Sequence, residues 1–304
     1  MNATNGHAPT FAVELIGPET AKELLESSVV NRSISSTRVL MYATDMKERN
    51  WGLASDCIQI DTDGHLRNGH HRMNAVIAAD LDVQFTVMRD CPEEMIRHTD
   101  TGMTRTLAHF LQMDGWTYPD RLAPLLRVWW AYKRFGKVDT NVLHGRIKMA
   151  SSEAGVERHS GKTGGIYLEC STDHGLATAE KWGHYLVELV SFYRNKNSHN
   201  VLGITPTMAV FAMAAWAETD YEFACAFWET VTSGYTPKDS DPAIALRNTL
   251  IEQRQAKMSH RGMVYSARAI WQMTARSMAA SYNGERLVMV KHAARVDKII
   301  QPKP

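Results

Sequence analysis

"DTDGHLRNGHHRMNA", residues 61–75, decides how the first third of the chain is read. It places three histidines, two arginines, two glycines and two acids between two apolar runs. The preceding "CIQID" (57–61) alternates apolar and polar residues, as a half-buried strand does. "TDGH" supplies a turn, and "LRNG" has room for a brief second strand. "HRMNAVIAADL" then carries Met73, Val76, Ile77 and Leu81 at helical spacing. The stretch is therefore a strand, a turn, a short strand and the start of a helix.

Three readings compete for its polar residues. Metal binding is the weakest. His65 and His70 stand five apart across a turn, His71 adjoins His70, and no cysteine or helical His-x-x-x-His partner accompanies them. No acidic pair stands at metal-triad spacing, so no metal is assigned. A phosphate cradle fits better. Gly69 lets backbone approach an anion, and a helix beginning near His70 aims its first N–H groups and its dipole at it. Arg72 in the first turn adds a planar, permanently charged fork. The third reading is a polar helix start without a ligand.

Strands and helices alternate on either side of this stretch. "FAVELIG" (11–17) is a strand, and "PETAKELLESS" is a helix with proline at its first turn. A second helix starts after Ser35 or Ser36 and ends near Gly52. "VQFTVMRD" (83–90) is a strand and "PEEMIRHTD" a short helix. After Thr104 the pattern is helical only, with apolar residues recurring at helical spacing in seven segments. Residues 151–175, rich in glycine, serine and charge, read as a loop or mobile insertion. Its "GVERHSGKT" imitates a phosphate-binding loop, but its glycine spacing is one residue too long. The fold class is α+β, with an α/β domain over 11–110 and a mostly helical domain over 111–304.

The 304 residues suffice for a sizeable core. The four cysteines, Cys57, Cys91, Cys170 and Cys225, are scattered without a paired motif, which fits reduced thiols in a cytoplasm. The opening residues lack a leader pattern, and no apolar run is long enough to span a bilayer. The net charge of +1 hides an asymmetry. Residues 247–304 hold eleven Lys/Arg against three Asp/Glu, a surplus of +8, so the preceding 246 residues carry 23 against 30. A basic end on an acidic body suggests a polyanion-facing surface; the alternative is that these cations pair with the acidic body.

"DGHLRNGHHRMNAVIAADLDVQFTVM" resembles the signature of the ParB/sulfiredoxin superfamily, and within it the ParB-like proteins of bacteriophages. The resemblance covers about residues 11–110. It includes Asn31-Arg32 before a helix, the core from Asp63 to Met73, and "TDTGMTRT" (99–106). It implies a nucleoside triphosphate, ATP or CTP with or without Mg²⁺, held by Arg32, Asn68, Gly69, His70, His71 and Arg72. Asp100 and Arg105 would form a second segment of the site. Sulfiredoxins carry cysteine where this chain has His70, and ParB partition proteins carry Glu-Arg where it has His70-His71. The superfamily's serine kinases share the Gly-His-His-Arg run but have an acid at the position of Asn68. Asp61, Asp63, His70 and His71 are the candidate catalytic groups, with Glu19 a further acid. Two functions follow. One is an NTP-dependent hydrolase or phosphotransferase in DNA modification, with nuclease chemistry the lesser option. The other is a non-enzymatic DNA-binding protein that uses nucleotide as a switch or not at all. Arg254, Lys257, Arg261 and Arg268 are the candidate DNA contacts. The partners expected are nucleotide and DNA, not membrane, and a homodimer stays open. The expected location is the cytoplasm, that of the host if the chain is phage-encoded.

Overall fold

The computed structural model describes residues 8–28, 34–54, 56–92, 105–150, 154, 165–195, 202–236, 240–260 and 264–290. The first elements follow the sequence pattern: β1 (Thr10–Ile16), α1 (Pro18–Glu26), α2 (Ser36–Lys47), β2 (Ile58–Asp61), β3 (Leu66–Asn68), α3 (His70–Ala79) and β4 (Val83–Cys91). Next come α4 (Leu107–Met113), α5 (Pro119–Phe135), β5 (Arg146–Met149) and β6 (Ile166–Glu169). The last helices are α6 (Thr172–Asn195), α7 (Pro206–Ala217), α8 (Tyr221–Ser233), α9 (Pro242–Ser259) and α10 (Ala267–Tyr282). The expected helix at "PEEMIRHTD" lies outside the described residues.

The chain divides into two compact units. One comprises the described parts of Met1–Arg105 and Lys148–His174, the other those of Thr106–Ile147 and Gly175–Pro304. The residues after Thr104 are thus not helical only. Two short strands occur there, and Lys148–His174 returns to the first unit. The alternation in "IYLE" is real, with Ile166 and Leu168 buried, but the glycine- and serine-rich composition around it obscures so short a strand.

The first unit is built on a four-stranded sheet of order β1-β4-β2-β3. β4 runs antiparallel to β1 and parallel to β2, and β3 folds back antiparallel on β2. Ile58 and Ile60 of β2, and Phe85 and Val87 of β4, are buried. α2 and α1 both pack on α3. The Ser35 side chain caps α2 by accepting the Arg38 N–H at 3.4 Å. That helix stops at Lys47, short of the expected end near Gly52, because Arg49 turns the backbone into the left-handed region (φ 60°).

The second unit has a large apolar core. Trp129, Phe211 and Trp228 are fully buried, and Trp129 meets Tyr132, Trp182, Tyr185 and Phe211 at ring distances of 5.7–6.1 Å. α7 is apolar all round, with every residue from Met208 to Ala214 buried, which is the pattern of a central helix. Thr106 and His109 form a reciprocal capping box at the start of α4.

Candidate functional site

The turn at residues 61–72 forms as the sequence pattern implies, and its chemistry is partly committed to holding the turn itself. Asp61 is buried at the end of β2. Its Oδ1 accepts the N–H groups of Asp63 (3.0 Å) and His65 (2.8 Å), and its Oδ2 accepts from Arg67 Nε at 2.5 Å. Burial alone would raise the Asp61 pKa. The His65 N–H, the Arg67 guanidinium and the Asp63 N–H outweigh that and hold the carboxyl below its usual value. A carboxylate so engaged is a poor general base.

Asp61, Asp63 and His65 bring ligand-type atoms within 4.8 Å of one another, a cluster that spacing alone did not reveal. The fit to a cation is poor. Asp61 already shares one oxygen with a guanidinium and the other with two backbone N–H groups. Asp63 is exposed, and Glu19 is exposed and paired with Lys22 at 2.6 Å.

Gly69 joins β3 to α3 and is the N-cap of that helix, with φ 116° and ψ 4°. This is a conformation glycine adopts freely and L side chains rarely do. A Cβ here would also lie 2.6 Å from Ile58 Cδ1. The N-cap of α3 is a glycine, which brings no side chain of its own to the helix start, whereas Ser35, Asp220 and Asp241 close α2, α8 and α9 with a hydroxyl or a carboxylate. Just before it, the Asn68 amide nitrogen is buried and has no acceptor among the described residues. His70 is buried and His71 half-buried. His71 Nε2 accepts the backbone N–H of Ser35 at 3.0 Å, which ties the start of α2 to the first turn of α3. An acceptor nitrogen carries no proton, so this ring is neutral and its one proton sits on Nδ1.

Arg72 differs from its expected pose. It is buried, and its guanidinium donates to the backbone carbonyls of Asp56 and of Cys57, the latter at 3.1 Å. The Asp56 carboxylate lies 3.5 Å away. Arg72 therefore fixes the entry to β2. Arg105 is exposed, while Arg32, Asp100 and Arg261 lie outside the described residues.

A second polar cluster in this unit was not legible in the sequence. Ser171 caps α6 by accepting the His174 N–H at 3.1 Å, and its hydroxyl donates to Asp45 Oδ1 at 2.8 Å. The His174 ring lies between two acids of α2 and its end, with Nδ1 3.2 Å from Asp45 and Nε2 2.8 Å from Glu48. Burial raises the Asp45 pKa to about 6, against the opposing pull of Ser171 and His174. This cluster locks α2, whose other end carries Ser35, to the β6–α6 junction across 126 residues of sequence.

In the helical unit, Arg254 is half-buried, and Lys257 and Arg268 are exposed. Arg247, part of the basic end, turns inward. Its Nη1 donates to the carbonyls of Val231 (2.7 Å) and Thr232 (2.8 Å), closing the C-terminus of α8.

Comparison with known proteins adds no relative to this picture: no family model, curated protein or solved structure matches the chain. Among the described residues, no helix is long and apolar enough to cross a membrane.

Proposed function

We propose that the first unit is a ParB/sulfiredoxin-like phosphate-binding domain that takes a nucleoside triphosphate, ATP or CTP, at the Asn68–Arg72 turn and acts on or with DNA. The observation that carries this is the start of α3. The helix N-terminus opens at a glycine that brings no capping side chain and that no other residue can replace without strain or collision with Ile58. Such an end attracts anions through its N–H groups and dipole. The unpartnered Asn68 amide supplies a further donor next to it. In this reading Asn68, Gly69 and the backbone of His70 and His71 hold the phosphates, and Arg72 supports the site by fixing residues 56–57. His71 Nε2 is engaged by the Ser35 N–H as Asp61 is by Arg67, so both residues shape the turn rather than serve as a ready base.

Titration calorimetry of the protein with ATP and CTP, with and without Mg²⁺, tests the reading. Saturable binding of one nucleotide that weakens in Asn68→Ala supports it. No saturation by either nucleotide, or equal affinity in Asn68→Ala and wild type, contradicts it. Arg72→Ala should instead lower stability by about 1.5–3 kcal/mol, because two backbone carbonyls lose a charged donor.

The non-enzymatic DNA-binding reading stands beside this one for a specific reason. Arg254 and Lys257 lie one turn apart on α9 and form no ion pair among the described residues, which leaves their charge available to a phosphate backbone.

A further inference from the structure

We propose that the helical unit holds a second small-molecule site, for an organic anion with a short apolar body, in the cleft between the start of α5, the end of α6 and the start of α7. The cleft is partly open to solvent and offers about 60 Å³ of cavity volume, less than the roughly 300–1,000 Å³ of drug-sized ligand pockets, so it suits only a small ligand. Leu125, Val190 and Val210, all buried, form apolar walls. The lining also carries polar groups. Arg121 of α5 and Arg194 of α6 line the cleft and are exposed. Neither pairs with a carboxylate among the described residues. Arg194 is held in place by lying over the Tyr118 ring, 4.6 Å from its centre. Thr207 adds its hydroxyl and the N–H of the first turn of α7. The Thr205 side chain already takes the Met208 N–H, and Pro206 has none to give.

The decisive group is Tyr193. It lines the cleft and is only 2% exposed, yet its hydroxyl has no hydrogen-bond partner among the described residues. Its ring is fixed edge-on against Trp228, at 5.9 Å between centres. Buried hydroxyls in folded proteins are nearly always bonded, to protein, water or ligand, so this one offers a donor to whatever enters the cleft. Burial pushes this phenol up to about 12, so near neutrality it is a donor. A donor inside, two guanidinia at the mouth and a helix N-terminus beside them share one preference, which is a negatively charged acceptor. The apolar walls require that the anion carry a hydrocarbon or aromatic part. This site uses no residue of α3, so it stands or falls independently of the nucleotide reading.

The test is titration calorimetry on the full chain with phenyl phosphate, phenylacetate and inorganic phosphate, paired with melting curves. One aryl anion should bind saturably, more tightly than inorganic phosphate, and which one binds distinguishes a phosphate ester from a carboxylate. Tyr193→Phe should weaken binding roughly tenfold, and Arg194→Gln by a similar or larger factor. The melting temperature of Tyr193→Phe should stay level or rise, since the change removes an unsatisfied buried hydroxyl. Three results overturn the proposal. They are no saturation by either aryl anion, inorganic phosphate binding as tightly as both, or wild-type affinity in the two variants. A lowered melting temperature in Tyr193→Phe with unchanged affinity would likewise assign the hydroxyl a structural role and sink it.

Discussion

The two units bury polar groups in opposite ways. Among the described residues, the buried carboxylate, histidine and arginine side chains, Asp45, Asp61, His70, Arg72 and His174, all belong to the α/β unit. The helical unit buries uncharged polar groups instead, among them Thr178, Thr232, Thr249, Gln253, Thr274, Ser277 and the phenol of Tyr193. Its threonines fold back on their own helices, as Thr249 does to Ala245 (3.0 Å) and Thr274 to Ile270 (2.8 Å). Buried charge is costly unless paired. The α/β unit meets that cost with short polar networks between distant segments, whereas the helical unit avoids it and keeps its cations at or near the surface. Electrostatic specificity therefore concentrates in the first unit, and diffuse surface charge in the second.

The sharpest way to break this contrast is His174→Ala. It removes one of the two partners of a buried Asp45, leaving only the Ser171 hydroxyl, and should cost about 3–5 kcal/mol in urea unfolding. A loss under 1 kcal/mol would mean that the cluster does not hold the two segments together. The pH dependence follows from the raised Asp45 pKa. Between about 4 and 6 the folded state holds a proton that the unfolded chain has released, so this group makes stability fall as pH rises through that window. Asp45→Asn should flatten that part of the stability curve, and an unchanged slope would place the titration elsewhere.

Gly69→Ala comes next. A left-handed conformation and a Cβ pressed on Ile58 should together cost about 2–4 kcal/mol. Near-wild-type stability would mean that the turn relaxes and that glycine is not required there. In the helical unit, Thr274→Val should cost only about 1 kcal/mol, the net worth of one hydrogen bond to a neutral partner. A loss as large as that of His174→Ala would erase the distinction between the units. The smallest stability effect is expected from changing Arg254, Lys257 and Arg268 together to Glu. Surface changes stay within roughly ±0.5 kcal/mol each, while any DNA binding should weaken and lose its salt dependence. A fall in melting temperature of several degrees, with DNA binding intact in a gel shift, would show that these cations pair internally.

The same contrast explains what the sequence disclosed. The β2–β3 turn, Gly69 and the start of α3 were legible because every cue lies within fifteen residues, where strand alternation, glycine and helical spacing agree. The Ser171–His174–Asp45–Glu48 lock was not, because its halves are 126 residues apart and sit in a segment whose composition reads as loop. One signal was present. "STDH" (171–174) places a hydroxyl three residues before a histidine at a helix start, as "TLAH" (106–109) does at α4. The inward turn of Arg72 and Arg247 was also illegible, because a guanidinium reaching for backbone carbonyls leaves no mark in residue spacing.

Amide chemical shifts of ¹⁵N-labelled protein during titration with ATP and CTP test the central claim most directly. Binding at the glycine-led start of α3 should move the signals of Gly69, His70, His71 and Arg72, with Ser35 following through its bond to His71, and these shifts should saturate together. Titration with both nucleotides that leaves those amides unmoved, or moves only signals of the helical unit, would contradict the assignment of the phosphate site to this turn.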